Sequence, residues 1–196
     1  MPTDPAPSPP PLNGRRVLVG VTGGIAAYKT ATLVSRLVQA GADVRVLMTE
    51  SAVRFVAPLT FQSLSGHPVM TSVWDHDDRP DSQHVGLARW CDLFVVAPCT
   101  ADTLAKLAAG LTPDPVTLTA AALPAETPLV LAPAMNADMW ANPVVQRNLT
   151  TLRDLLPNLH EVGPESGWQA CRTSGAGRMA EPETIYDCLS ARLGVG

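Results

Sequence analysis

The stretch R15-RVLVGVTGGIAAYKTATLVSRLVQAGADVRVLMT-49 decides the fold. It opens with a β-branched run, RRVLVGVT, apolar at odd and even positions alike, as expected of a strand buried on both faces of a sheet. The pattern then switches period. Leu33, Val34, Leu37 and Val38 form one apolar stripe of a helix, and Gly41 sits where a C-terminal stop belongs. A second buried run, DVRVLMT, follows at once. Strand, helix and strand joined this tightly make a right-handed crossover between parallel strands.

The same alternation continues outward. DLFVVAP and TPLVLAP read as two more central strands, and HEVGP as a short one. ADTLAKLAAGL, NPVVQRNLTTLRDLL and EPETIYDCLSARL read as helices. The pattern predicts an α/β protein with a doubly wound parallel sheet of Rossmann-like or flavodoxin-like kind, in a single domain from residue 15 to 196. Before it, MPTDPAPSPPPLNG has Pro at six of its first eleven positions and no apolar core segment, so residues 1–14 read as a disordered tail rather than a leader. Cytoplasmic location is the expectation.

Composition narrows the function. The chain has 196 residues, 46% of them hydrophobic and 16% charged, and a net charge of −4. That charge argues against nucleic acid or an anionic membrane as partner, and no apolar run approaches membrane-spanning length. Cys91, Cys99, Cys171 and Cys188 are scattered, without metal-ligand spacing, so free thiols and no metal site are expected.

Open parallel sheets bind ligands beyond the carboxyl ends of their strands. That rule singles out four turns: VTGGIA, MTESA, APCTAD and APAMNADMW. In the first, Gly23, Gly24 and Ile25 open a helix, which suits either a phosphate or a plain strand-to-helix turn. It is not the GxGxxG dinucleotide fingerprint. In the second, Thr49 and Ser51 suit a phosphate or a helix cap, and Glu50 a ribose. In the third, Thr100, Ala101, Asp102 and Thr103 start a helix, where capping by Thr100 is the simplest reading. Cys99 beside them reads as a small buried hydrophobe. The fourth turn sets Asn136 among Met135, Met139 and Trp140. Upstream, SQHVGLARW places His84 at the start of a short helix. Near the C-terminus GWQACRTSGAGRMAEP reads as a long Gly-rich loop, either a lid or clamp or a mobile connector with an incidental Cys171, and its Arg172 and Arg178 favour an anionic ligand.

Taken in order, GGIAAYK, SQHVGLARW, APCTADTLAKLAAGL, PAMNADMW and QACRTSGAGRMAEP resemble the motifs of the phosphopantothenoylcysteine decarboxylases, among the homo-oligomeric flavin-containing cysteine decarboxylases. The likeness runs from about Arg15 to about Leu193. It departs at CTAD, where some relatives have SANT, and at Arg172-Thr173, where an acidic or glycine-containing pair is common.

The resemblance implies FMN, with its phosphate on Gly23, Gly24, Ile25 and the Thr49-to-Ser51 turn. Thr100, Ala101, Asp102, Thr103 and Ala134 would then line the flavin. It implies His84, Asn136 and Cys171 as catalytic residues, and Asn136, Met139, Arg172 and Arg178 as contacts for 4'-phosphopantothenoylcysteine. The implied reaction oxidises the cysteinyl thiol to a thioaldehyde, releases CO2 and returns the electrons, giving 4'-phosphopantetheine for coenzyme A. Also implied are a homotrimer or homododecamer and a phosphopantothenate-cysteine ligase, as a domain or separate protein. Two other readings stand beside it: a peptidyl-cysteine decarboxylase or prenyl-flavin synthase, and a non-catalytic regulatory subunit. The Cys171 loop speaks against the first, and joint retention of His84, Asn136 and Cys171 against the second.

Overall fold

The computed structural model describes residues 10–74 and 83–194. In chain order its elements are β1 (Arg16–Val21), α1 (Ala27–Gln39), β2 (Asp43–Met48), α2 (Glu50–Val53), α3 (Pro58–Ser65), α4 (Gln83–Trp90), β3 (Leu93–Cys99) and α5 (Ala101–Ala109). Then come α6 (Pro115–Ala121), β4 (Leu129–Pro133), α7 (Ala137–Ala141), α8 (Pro143–Leu155), β5 (Leu159–Glu161), β6 (Glu165–Trp168), β7 (Ser174–Arg178) and α9 (Pro182–Arg192). The strands β1 to β5 form one parallel sheet in the order β2-β1-β3-β4-β5. This is the flavodoxin-like order, with its switch point between β1 and β3.

The even apolarity of the central strands reflects burial on both sides. Val17, Val19 and Val21 of β1 face one layer with Leu33, Val34 and Leu37 of α1 and Ile185 and Leu189 of α9. Leu18 faces the other with Phe94, Val96, Leu104 of α5, Val116 of α6 and Leu149 of α8. Each such fully buried Leu or Val contributes about 1.5–3 kcal/mol. Helix α1 ends as expected, with Gly41 at φ 92 just beyond its cap.

Two expectations change, and one helix was not anticipated from the sequence. The segment read as a long loop holds an antiparallel hairpin, β6–β7, whose small residues hide the strand alternation. PVTLTAA, rich in β-branched residues, is the helix α6, because Asp114 caps it through Val116 N–H at 3.1 Å and Thr117 N–H at 3.0 Å. The packed structure also begins before residue 15. Leu12 is fully buried in the α1 layer and its N–H donates to Ala40 O at 2.8 Å. Residues 1–9 of the Pro-rich segment lie outside the described residues. Among those described, no helix is long and apolar enough to cross a membrane.

Candidate functional site: a cleft at the switch point

The carboxyl ends of β1 and β3 are pinned by two buried threonines. Thr22 Oγ1 donates to Pro98 O at 2.6 Å and accepts from Thr100 N–H at 3.3 Å; Thr30 Oγ1 donates to Ala97 O at 2.7 Å. These bonds set the third turn against the first. Gly23 allows the first turn to lie directly on the second, because a Cβ there would stand 2.3 Å from Ser51 Cβ. Around these turns opens a cleft of about 1040 Å³. All four turns named from the sequence line it.

The turn residues are held by their own helices. Thr49 Oγ1 caps α2 by accepting from Ala52 N–H at 3.2 Å, and Thr100 Oγ1 caps α5 by accepting from Thr103 N–H at 3.3 Å. Capping and lining the cleft thus coexist. Ahead of α1, the backbone N–H groups of Gly23, Ile25 and Ala26 have no partner among the described residues. They are the unsatisfied donors of a helix start, which suit a phosphate.

Asn136 caps α7. Its Oδ1 accepts from Met139 N–H at 2.8 Å, which fixes the amide orientation and leaves Nδ2 as the free donor at the cleft. The β6–β7 hairpin folds over this turn. Met135 N–H donates to Gly177 O at 2.9 Å, and at Gly177, with φ 127, a Cβ would lie 2.5 Å from Met135 O. Only glycine permits that approach. The hairpin tip brings exposed Cys171 to the cleft, its Sγ 2.9 Å from Thr173 Oγ1 and 3.6 Å from Gln169 Oε1.

Charge is arranged in pairs. Lys29, largely buried, bonds Glu181 at 2.8 Å and holds its carboxyl below the usual range. Arg178 also lines the cleft and reaches Glu181 at 3.0 Å and Glu165 at 3.1 Å, while its buried Nε has no partner. Lys106 bonds Asp102 at 2.7 Å and lies 3.6 Å from Asp114; the hydrogen bond to Asp102 leads in raising its pKa. The Asp102 side chain is therefore committed to Lys106. By contrast, burial pushes the Cys99 thiol up to about 12, which leaves it inert at neutral pH.

Of the residues named from the sequence, Gly23, Gly24, Ile25, Thr49, Ser51, Thr100, Ala101, Asp102, Thr103, Ala134, Asn136, Met139, Cys171 and Arg178 line the cleft. His84, Arg172 and Trp140 do not, and Trp140 packs instead on the core. His84 stands in the first turn of α4, which packs on α6, and Arg172 is exposed at the hairpin tip with φ 64. Lys29, Trp74 and Gln169 line it and were not singled out. Lys29 had a signal, since it follows the glycine turn within the first helical turn; Trp74 and Gln169 had none.

A switch-point cleft with free N–H donors on one side and apolar side chains on the other defines a cofactor-binding α/β protein. The chain belongs to the Flavoprotein family, whose model matches residues 5–194. The coenzyme A biosynthesis bifunctional protein CoaBC of Haemophilus influenzae is 45% identical over 179 residues, 91% of this chain and 44% of that protein. The chain thus spans less than half the length of such relatives. A solved cysteine-to-serine mutant of PPC decarboxylase, complexed with pantothenoylaminoethenethiol, superposes with a TM-score of 0.81 at 33% identity, over 92% of this chain and 98% of that one. The FMN binding protein AtHal3 superposes with a TM-score of 0.75 at 33% identity, over 90% and 95%.

Proposed function

We propose that this chain is an FMN-dependent carboxy-lyase that converts 4'-phospho-N-pantothenoylcysteine to 4'-phosphopantetheine and CO2. One observation carries the reading: a single cleft gathers a phosphate-suited turn, an amide donor fixed by its own helix and an accessible thiol. Relatives named for coenzyme A biosynthesis, PPC decarboxylase and FMN binding support it.

The residues fit the cofactor. Gly23, Gly24 and Ile25, with Thr49 and Ser51, would hold its phosphate through N–H and hydroxyl donors. Thr100, Ala101, Asp102, Thr103 and Ala134 would flank its ring, and about 1040 Å³ accommodates both cofactor and substrate arm. When bound, FMN supplies a two-electron acceptor that returns the same electrons, so no external donor is needed.

The chain's own groups do the rest. Asn136 Nδ2 binds the substrate carboxylate as a neutral donor; a cation there would stabilise the carboxylate and oppose loss of CO2. Met139 covers the same end with an apolar wall. Cys171 carries a proton and delivers it to the carbon that has lost CO2. Arg178, on the inner side of the hairpin, attracts the anionic substrate, whereas Arg172 at the tip steers it from outside.

His84 acts from a second copy. It lies outside the cleft of its own chain, and that cleft is rimmed by Ile25, Tyr28, Trp74, Met139 and Trp168, all well exposed. A homotrimer, or a homododecamer built from trimers, covers such a rim and closes the site. The partner that would supply the substrate is a phosphopantothenate-cysteine ligase, as a domain or a separate protein.

The test is incubation of FMN-reconstituted protein with 4'-phosphopantothenoylcysteine and mass spectrometry of the product. The expected result is 4'-phosphopantetheine, with a heat-extracted chromophore that co-elutes with FMN. FAD as chromophore, or no product, overturns the reading. For the oligomer, inactive His84→Ala and Asn136→Asp proteins should regain activity when mixed and re-assembled.

A further inference from the structure

Gln169 is buried, with 7% of its surface accessible, although its neighbours Trp168, Ala170, Cys171 and Arg172 are exposed. Its side-chain amide is fully used. Oε1 accepts from Ala137 N–H at 3.1 Å and from the Cys171 thiol at 3.6 Å. Nε2 donates to Gly175 O at 3.3 Å and Ala176 O at 3.1 Å. The two carbonyls on one side and the N–H on the other leave no ambiguity about which atom is which. One amide therefore ties the first residue of α7, directly after Asn136, to the returning strand of the hairpin and to the thiol at its tip.

We propose that Gln169 is the positioning residue that holds the Cys171 proton in register with Asn136. It touches neither substrate nor cofactor in this role; it acts through Cys171 and the α7 N-terminus. The proposal rests on the decarboxylase reading for its kinetic consequence. In that reaction the Cys171 Sγ–H would protonate the carbon that has lost CO2, the hydride taken earlier from the thiol-bearing carbon would return to that carbon, and the Cys171 thiolate left behind would regain its proton from solvent. Asn136 has by then released its carboxylate as CO2. The proton must arrive where Asn136 placed that carbon, and the Gln169 amide is the short hydrogen-bonded link between the two. The Thr173 hydroxyl, 2.9 Å from Sγ, is placed to donate to the sulfur while the thiol donates to Gln169. A shorter amide cannot span from the hairpin to α7. A carboxylate keeps the acceptor but sets an oxygen against the carbonyls of Gly175 and Ala176.

The experiment compares FMN-loaded native protein with Gln169→Leu and Gln169→Glu. Hydrogen exchange of peptides covering residues 136–140 and 169–178 should quicken by about tenfold or more in Gln169→Leu, with β1, β3 and β4 unchanged. FMN content and CO2 released in the first turnover should stay within about twofold. The product should shift from the saturated thiol to the unsaturated one, lighter by two hydrogens, although Cys171 is intact. Gln169→Glu should show the same product shift, with exchange faster at 175–178 than at 137. Unchanged local exchange, loss of FMN and CO2 release together, or a Gln169→Glu protein that behaves as native each overturns the proposal. Should native protein make no CO2 from this substrate, the decarboxylase reading fails by itself, and the exchange data still decide whether Gln169 couples hairpin to helix.

Discussion

Asn136→Asp separates the two jobs of this side chain. The structural job is capping: Oδ1 accepts from Met139 N–H at 2.8 Å, and a carboxylate oxygen does so equally well. A negative charge at a helix N-terminus is, if anything, favourable. The melting temperature should therefore stay within about 2 °C of native, since about 1 kcal/mol moves a chain of this size by about 2–4 °C. The chemical job proposed for it is donation from Nδ2 to the substrate carboxylate, and there the variant offers a charged acceptor. Two carboxylates about 4 Å apart repel by about 4 kcal/mol at an effective dielectric of 20, and by about half that at the open mouth. Turnover efficiency should fall by about 30- to 1000-fold. Asn136→Ala should invert the order: it loses the cap, about 1 kcal/mol, yet lacks the repulsion. Stability should rank native and Asp above Ala, and activity native above Ala above Asp. The assay is kcat/KM by mass-spectrometric product formation beside thermal melts and bound-flavin absorbance. An Asn136→Asp protein within threefold of native, or one whose activity loss merely follows its FMN loss, would mean that Asn136 only caps α7 and does not bind the carboxylate.

Other outcomes follow from single contacts. Gly177→Ala, with φ 127 and a Cβ 2.5 Å from Met135 O, should lift the hairpin and cut kcat more than tenfold. Its melting temperature should drop by no more than about 5 °C, because the hairpin can detach while the five-stranded sheet stays packed; thermal melts beside steady-state rates check this. Cys171→Ser should release CO2 once per site and accumulate the unsaturated thiol, because a serine hydroxyl is a far weaker acid than a thiol; rapid-quench mass spectrometry reads it. Away from the site, Asp92→Asn probes the staple between the starts of β1 and β3. Burial works to raise the Asp92 pKa, but hydrogen bonds from the Arg16 side chain and N–H outweigh it and hold the carboxyl low. A depressed folded pKa stabilises above the unfolded value and is lost as pH falls through the folded one. The variant should cost about 1 kcal/mol at pH 7, and melts should converge with native only below about pH 4.

The sheet was legible because its strands are apolar on both faces and its crossover helix carries one stripe, so burial wrote the period directly into the residues. The four turns were legible for a similar reason, as strand ends in such a sheet have one outlet. The hairpin was hidden: Ser174, Gly175, Ala176 and Gly177 carry no alternation, and their strand character comes from the partner Glu165–Trp168 and from a close approach to Met135. Gln169 was hidden too, for a polar residue in a Gly-rich stretch gives no sign that it will be buried. His84 was legible as a motif but not as a position, since the sequence carries its resemblance and not its distance from the cleft.

Anaerobic multiple turnover tests the redox neutrality of the proposed reaction. FMN-loaded protein is mixed with a hundredfold excess of 4'-phosphopantothenoylcysteine, with no added electron acceptor or donor. Many turnovers per site are expected, with CO2 and 4'-phosphopantetheine in equal amounts and oxidised flavin at the end. One equivalent of CO2 per site with flavin left reduced, or no CO2 at all, would contradict redox neutrality.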